Sequence, residues 1–199
     1  IKNVAAGEVT ATSTDAINGS QLYSVADQLA KGGFGYMHVN DGTTTQKAGT
    51  TATNYGAGGS KGGATGTKAI AGGVNAQATG TASIAMGFAA NASDDGAIAQ
   101  GSQAVASGKG AIATGSSATA SGQNTIALGN DNTATQESAI AIGNHVTTNK
   151  QMSIAIGHSL RALGANSILM GEGGWVKSDY SVVLGQNATT NDSDSRSSV

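Results

Sequence analysis

The chain has 199 residues, among them 31 glycines, one tryptophan, four tyrosines and two phenylalanines, with no proline and no cysteine. Only 11% of its residues are charged and the net charge is −2, poor material for a large globular core and too little basic charge to neutralise phosphates or anionic lipid. This excludes nucleic acid and membrane surface as partners and rules out disulfides and thiolate metal sites; no apolar run reaches the roughly 20 residues that span a bilayer.

The opening IKNVAAGEV has no charged-then-apolar leader pattern, and with the closing DSRSSV it reads as a piece cut from a longer protein. Residues 12–31, TSTDAINGSQLYSVADQLAK, are helix-prone, with Ser13, Thr14 and Asp15 as candidate caps and Gly32-Gly33 as a stop. Leu22, Val25 and Leu29 fall at a, d, a spacing, one heptad of a coiled-coil seam that is too short to stand alone. In the connector that follows, residues 32–55, Tyr36, Met37 and Val39 suggest a short strand and Asn40-Asp41-Gly42 a turn.

From residue 56 to 199 the chain repeats itself. Gly87, Gly101, Gly115, Gly129, Gly143, Gly157, Gly171 and Gly185 recur every fourteen residues, preceded by Gly59 and Gly73 in the same register. Three places before each glycine of the main series stand Ile84, Ile98, Ile112, Ile126, Ile140, Ile154, Ile168 and Val182, followed by a column of small residues, Ala85 to Ala155, that swells to Leu169 and Val183. A second alanine column runs through Ala78, Ala92, Ala106, Ala120 and Ala134. Such a period marks a solenoid. SIAIG-like phrases form one short strand and Ala-x-Ala phrases a second, so two strands and two turns complete each coil. The register glycines take one corner; Gly80, Gly108, Gly122 and Gly164 mark the other, where Asp94, Gln136, Lys150 and Ser178 substitute. Ten coils stacked in parallel predict a rod of roughly 45 Å. The expected fold is an all-β solenoid, a parallel β-roll of 14-residue coils behind a short helix.

A coil this small buries little on its own, yet both faces of the isoleucine-bearing strand are apolar. One face fills the roll and the other meets a neighbour. Alternation leaves open which is which; the isoleucines are taken here as the inner column, and self-association follows on either assignment.

The phrases SIAIG, TIALG and AIAIG at this spacing resemble the head repeat of YadA-like trimeric autotransporter adhesins. Residues 13–25, STDAINGSQLYSV, resemble the neck motif of the same family, with Asp15, Ile17, Asn18 and Gln21 in the neck and Leu22, Val25 and Leu29 entering the coiled coil. YMHVN, residues 36–40, is similar to the segment that leads from a stalk into a following head. The resemblance implies a left-handed roll, a homotrimer, and a neck and stalk at 1–31, a connector at 32–55 and a head at 56–199. It further implies display on a bacterial surface through an outer-membrane anchor C-terminal to this sequence, and attachment to host extracellular matrix, a cell-surface receptor or another surface. A non-adhesive spacer or solenoid segment of a surface fibre is the alternative, and behind it an enzyme built on a β-helix, which would call for converging acid, base or metal groups.

Other motifs point elsewhere only weakly. Gly58-Gly59-Ser60-Lys61-Gly62 fits the nucleophile elbow of serine hydrolases, but a glycine-rich tract generates it without an accompanying acid and base. His145 and His158 fall on adjacent coils, with no carboxylate seen at a matching phase, and His38 lies outside the repeat. Asp94-Asp95 and Asp192-x-Asp194 read as loop carboxylates without a cage. No cofactor, metal or catalytic group is expected. An ice-binding solenoid would want threonines along one phase of the repeat; the evident clusters, Thr43–Thr45 and Thr50–Thr53, precede it. Trp175 stands where other coils carry small residues, as a packing plug or trimer contact or, alternatively, as an exposed anchor for a partner.

Overall fold

The computed structural model describes residues 2–30, 37–39 and 63–190. The Gly32-Gly33 stop, the Asn40-Asp41-Gly42 turn, the threonine clusters, the Ser60 elbow, Gly59 and the tail with Asp192 and Asp194 lie outside the described residues.

The helix, α1, spans Gly19–Ala30, and its cap is Asn18 rather than Ser13, Thr14 or Asp15. Asn18 Oδ1 accepts from the Gln21 amide at 3.1 Å while Gln21 Oε1 accepts from the Asn18 amide at 3.0 Å, a reciprocal capping box. Gln21 also grips Gly7 on both sides, accepting from its amide at 3.1 Å and donating Nε2–H to its carbonyl at 2.6 Å. Asn18 Nδ2 reaches the Val4 carbonyl, and Asp15 accepts from the Glu8 amide. Residues 4–8 are thereby tied alongside 15–21. A side chain at Gly7 would strike the Ala16 carbonyl and the Asp15 Cβ.

The repeat folds as two stacked parallel sheets. The major sheet has ten strands: seven from the Ile-Ala-x phrases and two more from Ile168–Glu172 and Val182–Gln186, paired in a fourteen-residue register, and Met37–Val39 added antiparallel to Ile70–Gly72. That added strand covers the edge at which the first coil would otherwise present unpaired backbone. The minor sheet has nine two-residue strands in the same register, such as Thr119↔Thr133. About nine coils are described where ten were expected, a rod of roughly 40 Å at ~4.8 Å per coil.

The interior corrects the inner-column assignment. Ile84, Ile98, Ile112, Ile126, Ile140, Ile154 and Ile168 are only half-buried and Val182 is exposed, while their alanine neighbours Ala85, Ala99, Ala113, Ala127, Ala141 and Ala155 are fully buried. From Ala69 to Ala120 each coil points four small side chains inward, two from each sheet, as with Ser83, Ala85, Ala90 and Ala92. Where alanines fill the gap to contact, no volume is left for an isoleucine. Larger residues enter in the C-terminal coils, Val146, Leu160, Leu169 and Val176 among them, with Leu169 beside Gly174, which has no side chain to place. The inward hydroxyls of Ser83, Thr125 and Ser153 each donate to a carbonyl three residues back at 2.7 Å, so their burial leaves no hydroxyl unpaired.

The turns have a finer period than the sequence suggested. At one corner the register glycines adopt φ between +120° and +145°. Two residues later comes a left-handed residue, and another follows seven residues after that: Ala82, Ala89, Gly96, Gln103, Gly110, Ser117 and Asn124 continue the series, with φ near +55° to +65°. The second corner is therefore turned by the residue two places after Gly80 or Gly108, not by those glycines. Its amide is held by the coil below, as in Ala82 N–H to the Thr67 carbonyl at 2.8 Å, so corners as well as strands are laddered.

Candidate functional site

The roll offers two outer faces of opposite character. On the major sheet the outward positions of one coil are Ile140 and Ile142, of the next Ile154 and Ile156, and toward the C-terminal end Met170 and Leu184, the last 54% exposed. This apolar strip runs through most of the stack, interrupted at Gln100 and Thr114. A face of this extent left in water marks a contact surface. The outward column of the minor sheet reads Gln77, Asn91, Val105, Thr119, Thr133, Thr147, Arg161 and Trp175. Three threonines do share one phase of the repeat, at 119, 133 and 147, although the column is otherwise mixed. In α1, Leu22 and Val25 are 59% and 64% exposed, an uncovered seam.

The minor face is polar until its C-terminal coils. There Trp175, 43% exposed, pairs in register with Arg161, and Arg161, Leu163, Trp175 and Lys177 wall an open cleft of about 260 Å³. Arg161 also borders a second cleft, about 370 Å³, lined by Asp131, His145, Thr147 and Ser159. The tryptophan belongs to neither the inner packing nor the apolar strip, which removes the plug reading.

The two histidines do have carboxylates in phase, contrary to expectation. His145 Nε2 lies 3.3 Å from Asp131 Oδ2, fourteen residues earlier, and His158 Nδ1 lies 3.6 Å from Glu172 Oε1, fourteen later. Their rings meet edge to face with centroids 6.4 Å apart. No group of three metal-ligating side chains forms among the described residues. Asp94 and Asp95 serve the turn: Asp95 Oδ1 accepts from the Thr81 amide at 3.0 Å and Asp94 Oδ1 from the Asp95 amide at 2.7 Å. One polar residue escaped notice in the sequence. Asn132 is fully buried, donating to the carbonyls of Leu128 and Gly143 at 2.6 and 2.8 Å and accepting from the Val146 amide at 2.9 Å.

Two family models match the chain. One, the coiled stalk of trimeric autotransporter adhesin, matches residues 1–45; the other, the YadA head domain repeat, matches 64–90, 78–99, 92–118 and 120–145. The chain belongs to the YadA-like trimeric autotransporter adhesins. Within this family it is 54% identical over 56 residues to the trimeric autotransporter adhesin AtaA of Acinetobacter sp. (strain Tol 5), a match covering 28% of this chain and 1% of that protein. It is 51% identical over 47 residues to the autotransporter adhesin EhaG of Escherichia coli O157:H7, covering 23% of this chain and 3% of that one. The chain thus spans a small part of the length of the curated relatives it matches. As an adhesin-type head segment it keeps the roll going beyond residue 145, where the matched head repeats end. Arg161, Leu163, Trp175 and Lys177 all lie in those further coils.

Proposed function

We propose that this chain works as a homotrimeric adhesive head: a neck and stalk at 1–31, a connector at 32–55 and a head at 56–199. Three rolls pack the apolar outer strips of their major sheets around one axis, and three copies of α1 bury Leu22, Val25 and Leu29 in a coiled coil. The assembly is held at the bacterial surface by an outer-membrane anchor outside this sequence, and the head attaches to host matrix, host cells or other surfaces. The observation that carries this reading is the asymmetry of the outer faces, one lined by isoleucines such as Ile140 and Ile154 and the other by threonines such as Thr133 and Thr147. Burying the first removes apolar area from water at about 25 cal/mol per Å², while the second stays solvated at no cost.

The two faces give a matched test. Ile140→Asp with Ile154→Asp should convert the trimer to lighter species in sedimentation, and Thr133→Asp with Thr147→Asp should leave it intact. Equal behaviour of the two pairs would remove the assignment of the interface. Binding of the intact trimer to matrix proteins and cell surfaces tests adhesion itself; a trimer that binds none of them is a spacer.

A further inference from the structure

Trp175 is the chain's only tryptophan and stands on the outward minor face, in coils beyond the stretches matched to the head repeat. Folding does not require it there. The inward positions beside it, Gly174 and Val176, are already buried, and its register partner is an arginine. An indole left 43% exposed keeps apolar area in water that a ligand would cover.

The surrounding charge selects the ligand. Arg161 has no carboxylate partner among the described residues, and Lys177 lines the same cleft. Neighbouring acids among the described residues are engaged: Asp131 with His145, Glu172 with His158, and Asp179 through Oδ1 with the Ala165 amide at 2.7 Å. The cleft therefore presents an aromatic side chain beside the Arg161 cation, with Lys177 also in its wall, and Arg161 borders as well the polar cleft lined by Thr147 and Ser159. We propose that this is a saccharide site selecting a carboxylated sugar ring, of the uronic or sialic acid class. The indole takes the C–H face of the ring, the Arg161 fork takes the carboxylate with two parallel hydrogen bonds, and Thr147 and Ser159 meet the hydroxyls of an adjoining unit.

Two other anions fit less well. A highly sulfated chain needs a row of cations to release its counterions, whereas only Arg161 and Lys177 line this cleft and the carboxylate of Asp131 lines the adjoining one. An acidic protein would need roughly 800 Å² of covered surface with an apolar centre, more than Trp175 and Leu163 provide. Each saccharide site is shallow and its affinity modest, with symmetry repeating it three times on a fibre.

The inference rests on the proposed assembly only in keeping the minor face outward, and the two are tested separately. Because Trp175 is the sole tryptophan, its fluorescence reports this site alone. Trimers confirmed by sedimentation are titrated with an oligogalacturonate, with sialyllactose, with neutral lactose and with a heparin oligosaccharide. The expected result is a saturable change with a carboxylated sugar and at least tenfold weaker binding of lactose; whichever of oligogalacturonate and sialyllactose binds tighter identifies the class. Arg161→Gln should reduce carboxylate binding at least tenfold and leave lactose unchanged, and Trp175→Leu, followed by calorimetry, should abolish it. No saturable change, equal affinity for lactose, tightest binding of heparin, or full binding by Trp175→Leu would each overturn the site. A trimer that fails to bind refutes the site and leaves the assembly standing. A monomeric sample refutes the assembly, while its fluorescence still decides the site.

Discussion

Gly87 and Gly96 lie nine residues apart, both with positive φ, and replacing each with alanine should separate two kinds of turn strain. At Gly87, φ is +131°, a region that L-residues scarcely enter, and an added Cβ would sit 2.5 Å from the Gly101 carbonyl oxygen and 2.7 Å from its carbon. Both obstacles are backbone of the next coil. The conformational term is about 1–3 kcal/mol. Relieving the overlap means opening the ladder where Gly87 donates to Gly72 at 2.7 Å and Gly101 donates to Met86 at 2.8 Å, at about 1 kcal/mol for a weakened bond. Gly87→Ala should therefore cost about 3 kcal/mol per chain. At Gly96, φ is +65° and the nearest atom to an added Cβ is 4.0 Å away. The left-handed penalty of about 1–2 kcal/mol is there partly offset by alanine's smaller entropy loss, leaving about 1 kcal/mol or less. Thermal melting followed by far-UV circular dichroism should show a midpoint about 6–12 °C lower for Gly87→Ala and within ~4 °C of the parent for Gly96→Ala. Equal shifts, or a larger one for Gly96→Ala, would refute the claim that contact between coils, rather than φ alone, demands glycine at this corner.

The converse substitution should stabilise. Ala82 is exposed with φ of +56°, so Ala82→Gly exchanges a left-handed penalty for a smaller entropic one and should raise the urea midpoint by an amount equivalent to about 0.5–1 kcal/mol. Asn132→Ala should cost about 3 kcal/mol in the same assay, because it strips partners from the buried groups of Leu128, Gly143 and Val146. Asn132→Leu separates hydrogen bonding from packing, since a leucine that restores stability would show that volume alone matters at that site.

The period, the two strands per coil and the corner glycines could be read from the residues because each is a local, recurring demand. Which side of the strand faces inward could not, because alternation divides Ile84 from Ala85 without saying which is inside. The deciding quantity was volume. A fourteen-residue circuit brings its sheets so close that alanine and serine line most of the gap, with larger residues such as Val146, Leu160 and Leu169 admitted in the C-terminal coils, and the isoleucine column is turned outward. The left-handed corner residues were hidden because most are not glycine, although Asn75, Asn124, Asp131, Asn166 and Asn187 at multiples of seven were a usable signal. Asn18 and Gln21 likewise spelled a capping box, obscured by the better-known caps at Ser13 and Thr14. The partnership of Arg161 with Trp175 is visible once the fourteen-residue register is applied to side chains and not only to the repeat consensus.

That register also explains why a recognition site can sit on so uniform a scaffold. The four inward columns and the corner glycines are bounded by backbone of adjacent coils, so a change there propagates along the stack. Major-face residues such as Ile140 have, in the proposed trimer, a contact surface to satisfy. Only the minor face has neither constraint: its column passes from Gln77 through Thr119 to Arg161 and Trp175 without altering strand register or the buried alanines beneath. Chemistry placed on that face costs the fold little. The longest departure from the polar pattern, Arg161 through Lys177, is consequently where selectivity for a ligand is best sought.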